Sequence, residues 1–150
     1  MSTATIPDAP LATADSALTD WSAERHTAGV LIVDDDAGVR ACLRACLEHS
    51  GIPVWAAASG REALDVCREH GDRISVALLD VQMPGLDGPQ TLVRLREVRP
   101  GLCSFFMSSD PGRYTVDDLL RLGAQQVLAK PFSVVKLLGT LRRLMGRCRD

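Results

Sequence analysis

One carboxylate stands where chemistry is expected. The apolar run VALL, residues 76–79, drives into Asp80, and a turn-rich segment with Pro84, Gly85 and Gly88 follows at once. Such a pattern predicts a buried strand that presents an acid on an irregular loop. Open parallel sheets bind their ligands at those strand ends. Other apolar runs finish in the same manner. Residues 30–33 lead into Asp34, Asp35 and Asp36, residues 103–107 into Ser108 and Ser109, and residues 127–129 into Lys130. If these strands lie parallel in one sheet, acids, a hydroxyl and a single ammonium converge at one edge.

Acids gathered in this way repel. Two carboxylates about 4 Å apart cost about 4 kcal/mol at a near-surface dielectric. A raised pKa or a bound cation relieves that cost. Oxygen-only ligands favour a hard ion, and a site that awaits a phosphoryl group suits Mg2+ better than zinc. Lys130, a point charge on a flexible stem, is the natural partner for an oxyanion. A metal and an ammonium flanking one carboxylate describe phosphoryl transfer, in which catalysis is mainly positioning and charge neutralisation.

The elements that must position these groups alternate along the chain. Strands are predicted over residues 30–34, 53–58, 74–80, 103–108 and 127–129. Val39, Cys42, Leu43, Cys46 and Leu47 recur at helical spacing before Gly51, which predicts an amphipathic helix with both cysteines on its apolar face, packed in the core rather than on a metal. Ser59 and Glu62 have capping-box spacing for a helix ending at Gly71. Leu92, Val93, Leu95 and Val98 mark a helix ended by Pro100 and Gly101. Thr115 and Asp118 start a short one before Gly123. Ser133 caps a last helix with Val134, Leu137, Leu138, Leu141, Leu144 and Met145 on one side. Five βα units imply a doubly wound parallel α/β sheet with helices on both faces.

Several polar residues have plainer roles. Asp36 is expected to favour a helix N-terminus, and Asp87 with Gly88 to cap the following helix. Ser109 is expected to be a small filler beside Ser108, and His49 and His70 to sit favourably at helix C-termini. The last helix carries Lys136, Arg142, Arg143, Arg147 and Arg149, expected as a solvated basic face that complements the helix dipole.

The 150 residues, 46% of them hydrophobic, suit one domain with a sizeable core. A net charge of -2, from 17 basic and 19 acidic residues, gives no overall pull toward nucleic acid or membrane. No apolar run approaches a membrane span, and the start lacks a signal-peptide pattern. Cys42, Cys46, Cys67, Cys103 and Cys148 show no disulfide framework, so a reducing cytoplasm is expected. Residues 1–28 are rich in small polar residues, with Pro7, Pro10 and Trp21, and lack periodicity; a disordered tail is expected, leaving 29–150 as the folded domain.

VDDD, LLDVQMPGLDG, FFMSS and AKPF, in this order and at these separations, resemble the receiver domain of two-component response regulators. The resemblance implies the flavodoxin-like strand order 2-1-3-4-5. It implies that Asp80 accepts phosphate from a sensor histidine kinase or phosphotransfer protein, and that Asp34, Asp35, Asp80 and the backbone carbonyl of Gln82 hold Mg2+. Ser108 then matches the switch hydroxyl and Lys130 the phosphoryl-binding lysine, with a cis bond to Pro131. The chain is expected to be a stand-alone regulator, not an enzyme toward other molecules. Its only catalysis would be its own phosphorylation and its own dephosphorylation, the latter influenced by the positions of Gln82 and Asp110. Phosphorylation would switch protein contacts, with the basic face of the last helix meeting a downstream target or, in a dimer, a second copy. One departure stands out: Val127 occupies the place of the family's aromatic switch residue, and Tyr114, the single tyrosine, lies on another segment.

Two other readings remain open. A haloacid dehalogenase-type phosphatase would use Asp34, although Gly38 stands where that pattern needs Thr or Val, and Lys130-Pro131 where it expects acids. A phosphorylation-independent binding module would keep the site as a relic.

Overall fold

A computed structural model of the protein describes residues 28–110 and 112–149, those after 145 by backbone alone. The expected tail thus falls, but for Ala28, outside the described residues. Five strands, β1 Gly29–Val33, β2 Val54–Ala57, β3 Ile74–Asp80, β4 Cys103–Ser108 and β5 Gln126–Ala129, alternate with five helices. These are α1 Ala37–His49, α2 Gly60–His70, α3 Gly88–Val98, α4 Val116–Arg121 and α5 Val134–Arg149. Every pairing is parallel and the strand order is 2-1-3-4-5, as expected.

Strand residues alternate between two faces. Leu31, Val33, Ala77, Leu79 and Phe106 pack against Leu64 and Cys67 of α2, Leu92 and Leu95 of α3, and Leu119 of α4. Val30, Ile32, Val76, Leu78, Phe105 and Met107 pack against Leu43 and Leu47 of α1 and Leu137 and Leu141 of α5. The central strands read as unbroken apolar runs because helices cover both of their faces.

Helix ends follow local chemistry. Asp36 is the N-cap of α1, its carboxylate accepting from the N–H groups of Gly38 (2.8 Å) and Val39 (3.2 Å). Asp87 and Gln90 close a full capping box on α3, and Thr115 and Asp118 do so on α4. Ser133 Oγ accepts from Lys136 N–H at the start of α5. The box at α2 is displaced: Ser59 accepts from Glu62 N–H, but the Glu62 carboxylate accepts from Ala58 rather than from Ser59. Gly88 lets α3 begin against the end of β3, since a Cβ there would lie 2.4 Å from the Asp80 carbonyl oxygen.

Two placements differ from expectation. Cys42 is exposed and Cys46 only partly buried, because Leu43 and Leu47, four apart, take the sheet-facing stripe and leave the cysteines on its flank. Ser109 is exposed rather than a filler, since the chain has left the sheet after Ser108. His70 ends α2 as expected, and it also stacks on Trp55, with ring centroids 5.6 Å apart.

Candidate functional site

Register brings the acids together. Val33 of β1 pairs with Leu79 of β3, so the next residues, Asp34 and Asp80, emerge side by side. Ser108 pairs with Ala129 across β4 and β5, which puts Lys130 at the neighbouring edge. The Lys130 ammonium donates to Asp34 Oδ2 at 2.8 Å and to Asp80 Oδ1 at 3.3 Å. Asp34 is wholly buried and Asp80 nearly so, while Asp35 is exposed. Carboxylate oxygens of Asp34, Asp35 and Asp80 lie within 4.8 Å of one another.

The backbone around Asp34 is well tied. Its N–H donates to the Ala57 carbonyl at 3.2 Å, its carbonyl accepts from Arg40 at 2.7 Å, and its Oδ1 accepts from Asp36 N–H at 2.9 Å. Burial, reinforced by the Asp34 charge, pushes the Asp80 carboxyl up to about 6, against the opposing pull of Lys130. Burial also works against the Lys130 charge, but the hydrogen bonds and charges of Asp34 and Asp80 outweigh it and hold that ammonium above its ordinary value.

One ammonium faces three carboxyl groups. The set fits a hard divalent cation on two grounds. Its donors are all oxygen, and the ionised Asp80, disfavoured first by burial and then by the neighbouring Asp34 charge, is a carboxylate that such an ion would stabilise. With an ammonium on one side and an exposed acid on the other, Asp80 is placed to act as a charge-supported nucleophile.

Ser108 is buried at the end of β4, and its Oγ has no hydrogen-bond partner. Such a group costs about 1–3 kcal/mol while unpaired. Its backbone is fixed, its carbonyl accepting from Lys130 N–H at 2.8 Å. The Lys130–Pro131 bond is cis, as the resemblance implied. Gln82 and Asp110 form an outer rim joined through Gly112. Asp110 accepts from Gly112 N–H at 2.9 Å, and Gly112, at φ 68°, lies so close to Gln82 that a Cβ would fall 2.0 Å from its Nε2.

Sequence reasoning missed the next layer. The Tyr114 hydroxyl donates to Asp87 Oδ2 at 2.7 Å, and Arg113 donates to the same oxygen at 3.2 Å. The Arg113 guanidinium also lies 5.2 Å from the Tyr114 ring centroid. These residues stand 26 and 27 positions from Asp87, and no local pattern announces a contact between two loops. Beside Lys130, a groove of about 580 Å³ is lined by Val39, Cys42, Leu43, Pro131, Phe132 and Val134, which is where the displaced cysteine lies.

Residues 30–142 match the model of the response regulator receiver domain. The chain is 38% identical over 121 residues to the response regulator MprA of Mycolicibacterium vanbaalenii, covering 79% of this chain and 50% of that protein. It is 34% identical over 144 residues to the sensor kinase CckA of Brucella abortus, covering 93% of this chain and 15% of that one. The chain therefore spans about half the length, or less, of these curated relatives. Among solved structures, the Vibrio cholerae chemotaxis protein CheY4 superposes with a TM-score of 0.69 at 30% identity, over 78% of this chain and 98% of that one. CheY of Borrelia burgdorferi, solved in a complex with CheX, BeF3 and Mg2+, is similar at a TM-score of 0.70 and 28% identity, over 78% of this chain and 88% of that chain.

Proposed function

Because the chain belongs to the response regulator receiver family, we propose that it receives a phosphoryl group on Asp80 from a phosphohistidine of a sensor kinase or phosphotransfer protein. The observation that carries this reading is the Lys130 ammonium shared between Asp34 and Asp80, at the open side of a three-carboxylate cluster.

An Asp80 oxygen attacks phosphorus in line. The bond from phosphorus to the donor's imidazole nitrogen breaks, and its electron pair stays on that ring. A pKa of about 6 leaves Asp80 mostly ionised at neutral pH, as attack requires. Asp34, Asp35 and Asp80, with the Gln82 carbonyl, would hold Mg2+, which supplies neutralisation of the charge on the transferring oxygens. Lys130 faces a phosphoryl oxygen from the other side. Ser108 gains in the product state the hydrogen bond that it lacks at rest.

The chain's own catalysis is then confined to forming and hydrolysing this acyl phosphate, with Gln82 and Asp110 on the rim that admits water. The apolar groove beside Lys130 receives the donor, and the exposed Lys136, Arg142 and Arg143 of α5 lie on the face that meets a target.

Incubation with acetyl phosphate and Mg2+ should label the protein, and Asp80→Asn should remove the label. Label that persists in Asp80→Asn but disappears in Asp34→Asn would replace this reading with the phosphatase one. A protein that never labels, yet binds its partners normally, would be the relic module.

A further inference from the structure

We infer that Tyr114 is the positioning residue of the switch: its bond to Asp87 latches the loop after Ser108 to the loop after Asp80, and phosphorylation opens that latch. The inference rests on Asp80 being the phosphoacceptor.

Five residues separate Ser108 from Tyr114. Within this short span the chain is pinned at two points, both on the segment that follows Asp80. Gly112 lies against the Gln82 side chain, and the Tyr114 hydroxyl donates to Asp87 Oδ2 at 2.7 Å. Arg113 holds the same carboxylate oxygen. Asp87 is itself fixed, because its other oxygen caps α3. The loop therefore cannot follow Ser108 toward a phosphoryl group while Tyr114 stays bonded.

Beneath the loop the Tyr114 ring packs on the same apolar cluster as Leu86, Leu122 and Val127. Val127 is too short to swing, so an inward move of the loop is felt at β5 through the Tyr114 ring. Thr115, the N-cap of α4, is the next residue, so release also frees a six-residue helix that exposes Val116 and Leu120. Helix α4, controlled from its N-cap, then joins the basic face of α5 in the surface that a target meets.

The chain holds a single tyrosine, so a 13C label at tyrosine Cζ gives one resonance. Adding beryllofluoride with Mg2+ to the full chain, as a phosphoryl mimic, should shift that resonance as the carboxylate bond is lost. Tyr114→Phe removes only the hydroxyl and should tighten beryllofluoride binding about fivefold, the worth of one hydrogen bond. Asp87→Asn keeps the helix cap and should act in the same direction, more weakly. A stationary resonance in a protein whose Asp80 labels normally with acetyl phosphate would overturn the latch and spare the phosphoacceptor reading. Failure of Asp80 to label would overturn both. A Tyr114→Phe variant that melts lower but binds beryllofluoride unchanged would make the tyrosine merely structural, and the latch would be wrong.

Discussion

Asp80 is held in a state that the folded protein resists. Its pKa rises from 3.8 to about 6 because burial and Asp34 disfavour its charge. The stabilisation from the neutral acid is present below about pH 4 and is lost as pH climbs through 6. Without added cation, Asp80→Asn should therefore stabilise the protein by about 3 kcal/mol at pH 8 and by little at pH 4. Thermal melts across that range check the sign. Lys130 works in the opposite sense. Lys130→Ala strands the wholly buried Asp34 carboxylate without its ammonium and should cost about 3–5 kcal/mol. Added Mg2+ should recover part of that loss, measurable as a larger magnesium-induced rise in Tm than the parent shows.

At the scale of elements, the turn from β3 into α3 is the tightest constraint on the site. A Cβ at Gly88 would lie 2.4 Å from the Asp80 carbonyl oxygen and 2.9 Å from Val81 Cα, both backbone atoms that cannot yield cheaply. Gly88→Ala should cost about 1–3 kcal/mol and slow Asp80 labelling by shifting the strand end. Denaturant titration and labelling rates on one preparation would show both effects. This turn also marks how far the sequence could be read. The strand beside it was legible, because a continuous apolar run closed by an acid fits little besides a buried strand that ends at a sheet edge, and the cap at Asp87 follows from its place before Gly88. The carboxylate's second role was not legible, because Tyr114 reaches it from a loop 27 residues away. Helix α1 shows a subtler limit. Its periodicity was plain, but Cys42 and Leu43 are adjacent on the stripe, and only packing against the sheet decided that the leucine turned inward.

At the scale of the molecule, helices cover both faces of the sheet, and the buried Asp34, Asp80 and Ser108 gather at one edge. Phe105 is wholly buried on the face shared with α1 and α5, so Phe105→Ala should cost about 3–5 kcal/mol, read as a lower midpoint in urea. The gathering of the site was predictable from the pattern, because parallel pairing brings the ends of β1, β3, β4 and β5 to one side, whereas the order 2-1-3-4-5 followed only from the resemblance to receiver domains. Among the described residues, the buried Ser108 oxygen stands apart because it has no hydrogen-bond partner. Replacing it with alanine removes a thirst that the quiescent protein cannot quench, and Ser108→Ala should melt about 1 kcal/mol more stable. The sturdier molecule would also be a deaf one: it would still take up phosphate, but its loops would have nothing to reach for. With Asp80 as the phosphoacceptor, responsiveness would be kept as a small imperfection of the silent form.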